Sequence, residues 1–306
     1  MPKVMVIGSA NIDFTVTVDR LPARGETVLG REFAQSYGGK GANQAIAARK
    51  AGADVVFLTK IGTDANGRMM EKHFVSSGLP PTGILRDPKT PSGVALIMVD
   101  RMGANQIAVA PGSNQGLTAE EVQRASSLMA GARVLLVQLE IPMAAVHQAL
   151  TLARKHRLTT ILNPAPAQAL STELLKLVDI LTPNEGEARS LGGQDTIEEA
   201  ARVLVKRGAR SVIVTRGADG ALLMDGDSGP RSFAAFAIDA VDSTGAGDAF
   251  NGALACALAS GDQLDKAITF ANAAGALATT KRGAQEALPS RREIEQLRRP
   301  RIDRPS

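Results

Sequence analysis

The chain holds one cysteine, no tryptophan, three histidines and only 3% aromatic residues in 306 positions. A single thiol, Cys256, excludes an internal disulfide, and its place in an apolar helical run reads as a buried structural group rather than a nucleophile. His73, His147 and His156 are scattered through helical segments, which leaves neither a zinc spacing nor a catalytic triad. No apolar run approaches the ~20 residues of a membrane span. Met1, Pro2 and Lys3 lead straight into Val4-Met5-Val6-Ile7, without the charged and apolar segments of a leader. The expectation is a cytoplasmic protein with no membrane partner.

A nucleic-acid partner is excluded on similar grounds. The net charge is +4, but six arginines from Ser290 to Ser306 face only Glu293, Glu295 and Asp303. Most of the excess therefore lies in what reads as a frayed basic tail rather than a binding face. RNP-type aromatics, zinc spacing and a recognition helix are all missing.

What is present is a chain with 44% hydrophobic and 22% charged residues, long enough for one large domain plus a small appendage. A continuous apolar strand at 3–8 and another at 54–61 are followed by strand–helix alternation from 118 to 215. Its helices are expected at 118–130, 142–156, 171–177 and 196–208, and its strands at 133–138, 159–162, 178–182 and 211–215. This predicts an α/β fold with a mostly parallel central sheet and helices on both faces. Phe14 to Val18 instead alternates apolar and polar side chains, Gly25 to Tyr37 extends that exposed-sheet character, and Gly93–Val99 with Asn105–Val109 looks like an antiparallel pair, so 14–37 and 91–110 read as a small β-sheet lid. The expected division is an α/β body of 1–13, 38–90 and 111–306 with a lid of 14–37 and 91–110. Exposed lid edges favour a homodimer paired through the lid sheet.

Val241 to Gly252 carries the chemistry. Gly245-Ala246-Gly247 opens into a helix, whose first N–H groups suit an anion such as phosphate. Asp248 at that point reads either as a proton acceptor beside fixed dipoles or as a residue complementing the helix dipole. Gly38-Gly39-Lys40-Gly41-Ala42-Asn43 lacks the spacing of a phosphate loop. Its glycines read as letting a polyhydroxy ligand approach, with Lys40 and Asn43 as hydrogen-bonding groups, or as a plain turn before a helix. Asn184 and Glu187, three apart, suit either a hydrated Mg²⁺ or a capping box. Thr215-Arg216-Gly217-Ala218-Asp219-Gly220 is a glycine-rich turn between strands. Glu140 either meets a sugar hydroxyl or caps the next helix.

Together these segments resemble the ribokinase-type, or PfkB, carbohydrate kinase family, which also contains fructokinases and adenosine kinase. Gly38–Ala45 and Asp242–Asp248 match the family's two signatures, and the order of elements fits from Val4 to about Leu288. The resemblance implies ATP-dependent phosphorylation of D-ribose at O5, giving ribose 5-phosphate and ADP. It makes Asp248 the base and the amides of Gly245, Ala246 and Gly247 the anion hole. It places the sugar at Asn11, Asp13, Gly39, Lys40, Asn43 and Glu140. The nucleotide falls at Asn184, Thr215 to Gly220, Gly247 and Asn272, with Mg²⁺ organised by Asn184 and Glu187 through water. A K⁺ activator is implied at Asp242, Thr244, Ala278, Lys281, Gly283 and Ala287, where the family usually has serine at the last position. Alternatives are a family member acting on deoxyribose, fructose or a nucleoside, and a sugar-binding sensor without activity.

Overall fold

Residues 1, 3–226 and 229–299 are described by a computed structural model. In β1 (Lys3–Ile7), Val4 and Val6 face one side and Met5 and Ile7 the other, and all four are fully buried. A strand apolar on both faces needs cover on both, so β1 lies inside a sheet. β2 (Asn11–Val18) and β3 (Gly30–Gly38) leave that sheet, and α1 (Lys40–Lys50) brings the chain back beside β4 (Asp54–Gly62). After α2 (Ala65–Ser76) and β5 (Ile84–Asp87), the hairpin of β6 (Gly93–Val99) and β7 (Asn105–Ala110) departs again. Alternation follows through α3 (Ala119–Arg124), β8 (Val134–Val137), α4 (Met143–Lys155), β9 (Thr159–Leu162), α5 (Thr172–Leu175) and β10 (Ile180–Leu181). It continues with α6 (Glu185–Gly192), α7 (Ile197–Lys206), β11 (Ser211–Thr215), β12 (Ala221–Asp225) and β13 (Arg231–Phe233). The helices α8 (Ala246–Ala259), α9 (Leu264–Ala278) and α10 (Arg291–Arg298) complete the described chain.

The large sheet runs β13-β12-β11-β10-β9-β8-β1-β4-β5 and is parallel except where β12 meets β11 and β13. Val4 and Val6 belong to a buried cluster with residues of α1, α8 and α9, while Met5 and Ile7 belong to the cluster of the other face with residues of α3, α4 and α7. The expected two-faced α/β sheet is therefore present. α1 and α8 cross closely, since a Cβ on Gly252 would come within 2.5 Å of the Ala47 Cβ. That contact sets the polar start of α1 against the start of α8.

The small sheet has the order β3-β2-β6-β7. Its outer pairs are antiparallel, but β2 and β6 pair in parallel, so the sheet is mixed rather than wholly antiparallel. The strand character expected from Gly25 stops short of β3. Arg20 pairs with Glu26 there, Glu26 also accepts the Ala23 N–H, and Gly25 adopts φ +80°, which makes the segment a turn. The helix expected over 118–130 ends at Arg124 and tightens into a 3₁₀ turn over Ala125–Met129, where Ser126 and Ser127 disfavour continuation.

The expectation of a frayed tail is corrected as far as Arg299. Ser290 and Glu293 form a capping box that starts α10, Ile294 is buried, and the guanidinium groups of Arg291 and Arg298 lie 5.8 and 5.5 Å from the Phe270 ring centroid. Arg301, Asp303 and Arg304 lie outside the described residues. Among the described residues no helix is long and apolar enough to cross a membrane.

Candidate active site

The loops after the C-terminal ends of β1, β8, β10 and β11 converge on the start of α8. Gly245, at φ +75°, is the residue before that helix, a conformation that favours glycine. A Cβ there would press to 3.1 Å of Ala284, whereas one on Gly247 would meet nothing within 4 Å. Open space thus lies in front of the Gly247 backbone. The Ala246 N–H is engaged by the Ser243 carbonyl at 3.2 Å.

Asp248 lies in the first turn of α8, yet its carboxylate does not cap its own helix. Oδ2 accepts from Asn43 Nδ2 and Oδ1 from Gln44 Nε2, both at 2.9 Å. Burial pushes its pKa up, while Lys40 and the two amide donors pull it down and Glu140 adds to the rise. The net shift is upward. A buried carboxylate with a raised pKa is a stronger proton acceptor than an exposed one.

Around it the field is shared. Burial works against charge on Lys40, but Asp248, Glu140 and Glu187 outweigh it and raise the ammonium's pKa. Asp13 is pushed up to about 6 by burial, then by Glu140, Glu286 and Asp248. Glu187 is raised by burial and by Asp248, against the Asn184 N–H and Lys40. Asp13, Lys40, Glu140, Glu187 and Asp248 therefore form one electrostatic cluster, assembled from β2, α1, the segment after β8, α6 and α8.

Glu140 does not cap the helix that follows it. Its Oε2 accepts from Ser9 Oγ at 2.5 Å and from the Lys40 N–H at 2.9 Å, so it caps α1 from across the sheet. The glycines before Asn43 are filled by the protein itself. A Cβ on Gly39 would approach Ala10 and Asn11 backbone at 2.9 Å, and one on Gly41 would meet Gly8 and Ser9 backbone at 2.5 Å. Their smallness lets α1 dock on the β1–β2 turn. Asn11 is oriented by Asn114, whose Nδ2 donates to Asn11 Oδ1 at 2.8 Å.

On the other side of Gly247 lies a cleft of about 500 Å³. Its walls are mainly apolar, with Phe236, Ile238, Phe250 and Ala276, and Thr215, Gly217, Ala218, Gly220 and Asn272 also line it. Asn272 Nδ2 donates to the carbonyls of Phe233 and Ala234 at 3.2 and 3.1 Å, which fixes this wall. Arg216 and Asp219 are not in the lining; Arg216 Nη2 donates to the Asp219 carbonyl instead. Asn184 stands beside Thr215 in an isolated parallel bridge, and Asn184 and Glu187 form the reciprocal capping box. Glu187 Oε2 is used by the Asn184 N–H at 2.8 Å.

Asp242 ties two segments together. It accepts from Thr244 N–H and Oγ1 at 2.9 and 2.7 Å and from the Gly283 N–H at 3.0 Å. Burial raises its pKa, but these donors outweigh it and the carboxyl is lowered. Lys281 turns its ammonium to Glu293 at 3.4 Å, and Ala287 is buried. Cys256 is buried, donates to the Ala51 carbonyl at 3.3 Å, and has its thiol pushed up to about 11 by burial.

Several participants went unnoticed in the sequence. Gln44 also donates to Asn163 Oδ1 at 3.0 Å and accepts from Gln138 at 2.6 Å. Gln285 donates to Asn43 Oδ1 at 2.9 Å. An amide in an alanine-rich helix destined for burial was the available signal for Gln44, because a buried amide needs partners. Gln285, in a loop, had none.

Helix-start amides between an apolar cleft and a buried carboxylate cluster suit the passage of a phosphoryl group from a nucleotide to a polyol, the chemistry of a carbohydrate kinase. The chain belongs to the pfkB family of carbohydrate kinases: the model described as "pfkB family carbohydrate kinase" matches residues 1–291. It is 40% identical over 293 residues to a ribokinase of Haemophilus influenzae, covering 94% of this chain and 95% of that one. A deoxyribokinase of Salmonella typhi is 37% identical over 304 residues, covering 96% and 97%. The structure of an Arabidopsis thaliana ribokinase complexed with ribose and ATP superposes with a TM-score of 0.87 at 30% identity, covering 97% of this chain and 98% of that one.

Proposed function

We propose that this protein is an ATP-dependent ribokinase that converts D-ribose to D-ribose 5-phosphate and ADP. The observation that carries the reading is the placement of Asp248, held by two neutral amide donors beside the open backbone of Gly247. Asp248 takes the proton from the O5 hydroxyl as that oxygen attacks the γ-phosphate. The N–H groups of Gly245 and Gly247 stabilise the charge on the transferred group, and that of Ala246 joins them on release from Ser243. Asn11, Asp13, Gly39, Lys40, Asn43 and Glu140 hold the sugar. The adenine lies in the apolar cleft past Gly217 and Asn272.

Asn184 and Glu187 each spend one side-chain oxygen lone pair on the reciprocal cap and keep further acceptor capacity, which fits a Mg²⁺ that accompanies ATP and keeps its waters. Bound there, Mg²⁺ supplies neutralisation of phosphate charge. K⁺ fits the segments joined by Asp242: Ala278 ends α9, where carbonyls carry partial negative charge, and the Lys281 ammonium is turned away. Thr244, Gly283 and Ala287 complete that ring.

The small sheet acts as a lid over the sugar and as a dimer surface. Phe33 and Leu96 on one face of it, and Ile107 and Val109 on the other, are each more than half exposed, which favours cover by a second copy. A lone buried thiol fits a reducing cytoplasm.

The deoxyribokinase relative favours 2-deoxyribose as the rival acceptor. A silent sugar sensor would need no buried base. ATP-dependent phosphorylation of ribose, 2-deoxyribose, fructose and adenosine tests the reading. Ribose is expected to give the highest kcat/KM, and a higher value for any other acceptor contradicts the assignment.

A further inference from the structure

Asn43 is held from both ends. Its Nδ2 donates to Asp248 Oδ2 and its Oδ1 accepts from Gln285 Nε2, each at 2.9 Å. Gln285 Oε1 in turn meets His73 Nε2 at 2.7 Å. The His73 ring lies flat on Tyr37, with centroids 3.8 Å apart and planes within 5° of parallel. Tyr37 belongs to β3 of the small sheet, and His73 to α2 of the body. Lys50 fixes the middle of this line by donating to the carbonyls of Gln285 and Leu288 at 2.9 and 3.1 Å.

The line has a direction. An ionised carboxylate only accepts, so Asn43 must show its NH₂ to Asp248 and its oxygen to Gln285. Gln285 must then present its own NH₂ to Asn43 and its oxygen to His73. That order requires a proton on His73 Nε2. The reversed order would set an amide oxygen against the Asp248 carboxylate, and both amides are buried, at 7% exposure for Asn43 and 3% for Gln285. Water is therefore a poor substitute for the missing donor.

We propose that His73 is a positioning residue for the base: its Nε2–H keeps the Gln285–Asn43 amides in the order that holds Asp248 ionised and aimed, and in the native protein the stack on Tyr37 seats the ring that carries it. Gln44 holds the other carboxylate oxygen without involving His73. The inference rests on Asp248 being the base.

His73→Phe keeps an aromatic ring for Tyr37 and removes the donor, whereas His73→Gln restores an N–H at similar reach and removes the ring. With ribose and MgATP, His73→Phe is expected to lose about tenfold in kcat, a misplacement effect, with the ribose KM within about twofold. His73→Gln should recover most of that loss. Gln285→Met should match His73→Phe, and the double variant should be no worse than either single one. Wild-type kcat in His73→Phe, equal losses in the Phe and Gln variants, or additive losses in the double variant each overturn the proposal. If His73→Phe does not fold, Gln285→Met against His73→Gln carries the same comparison. An active Asp248→Asn enzyme would defeat the base assignment itself. A dead Asp248→Asn with an unimpaired His73→Phe would defeat only the role given to His73.

Discussion

Asn43 on α1 donates to Oδ2 of Asp248 on α8 at 2.9 Å, joining side chains 205 positions apart in the chain. With Gln44 on Oδ1, both oxygens of the carboxylate rest on neutral donors from the next helix. The close α1–α8 crossing, with no room for a Cβ at Gly252, makes this reach possible. Packing of small residues and chemistry of the site are therefore the same feature seen at two scales.

Gln44→Leu removes a donor to Asp248 and Asn163 and the acceptor of Gln138 in a buried region. Each unsatisfied buried group costs about 1–3 kcal/mol, so urea unfolding should show a loss of about 2–4 kcal/mol. Steady-state kinetics should show kcat down by about tenfold or more, since Asp248, the proposed base, loses one of its two holders.

Asp13 gives a pH signature. Its folded pKa of about 6 stands above the ordinary 3.8, chiefly through burial and then through Glu140, Glu286 and Asp248. The folded chain therefore binds this proton more tightly than the unfolded one. Its stabilising contribution is full below about pH 4 and is lost as pH rises through about 6. At about 1.4 kcal/mol per pKa unit, Asp13→Asn should raise stability at pH 8 by up to about 3 kcal/mol and change it little at pH 4. Denaturant unfolding at the two pH values checks this. Ribose binding by the same variant should weaken at least about tenfold, the loss of a charged hydrogen bond.

Ala287 tests the proposed K⁺ site. Its buried methyl group contributes no side-chain oxygen, and Ala287→Ser would add one. The K⁺ concentration for half-maximal activation is expected to fall by about threefold or more, the effect of one added oxygen ligand at the scale of a net hydrogen bond. An unchanged K⁺ dependence would place the cation elsewhere.

The sheet and its two faces were legible because β1 is apolar on both faces, and the small sheet because β2 alternates polar and apolar side chains. Asp248 was legible because a carboxylate beside Gly245 and Gly247 is an unusual neighbour for helix-start amides. Other features depended on contacts that no local pattern encodes. The parallel β2–β6 pairing joins strands from two separate excursions. Glu140 caps α1 rather than α4 because β8 and the start of α1 are brought side by side only in the folded sheet. The start of the arginine-rich end looked unstructured by charge, yet Ser290, Ile294 and the face of Phe270 hold Arg291–Arg298 as a helix.

The central claim is that Asp248 removes the proton from the acceptor hydroxyl. Its most direct test is kcat for ribose phosphorylation in Asp248→Asn, alongside ribose affinity by calorimetry. The amide keeps the size of the carboxylate and discards its basicity. A fall of about 10³-fold in kcat with ribose affinity within about tenfold is the expected result. A kcat within tenfold of wild type would show that another group accepts the proton.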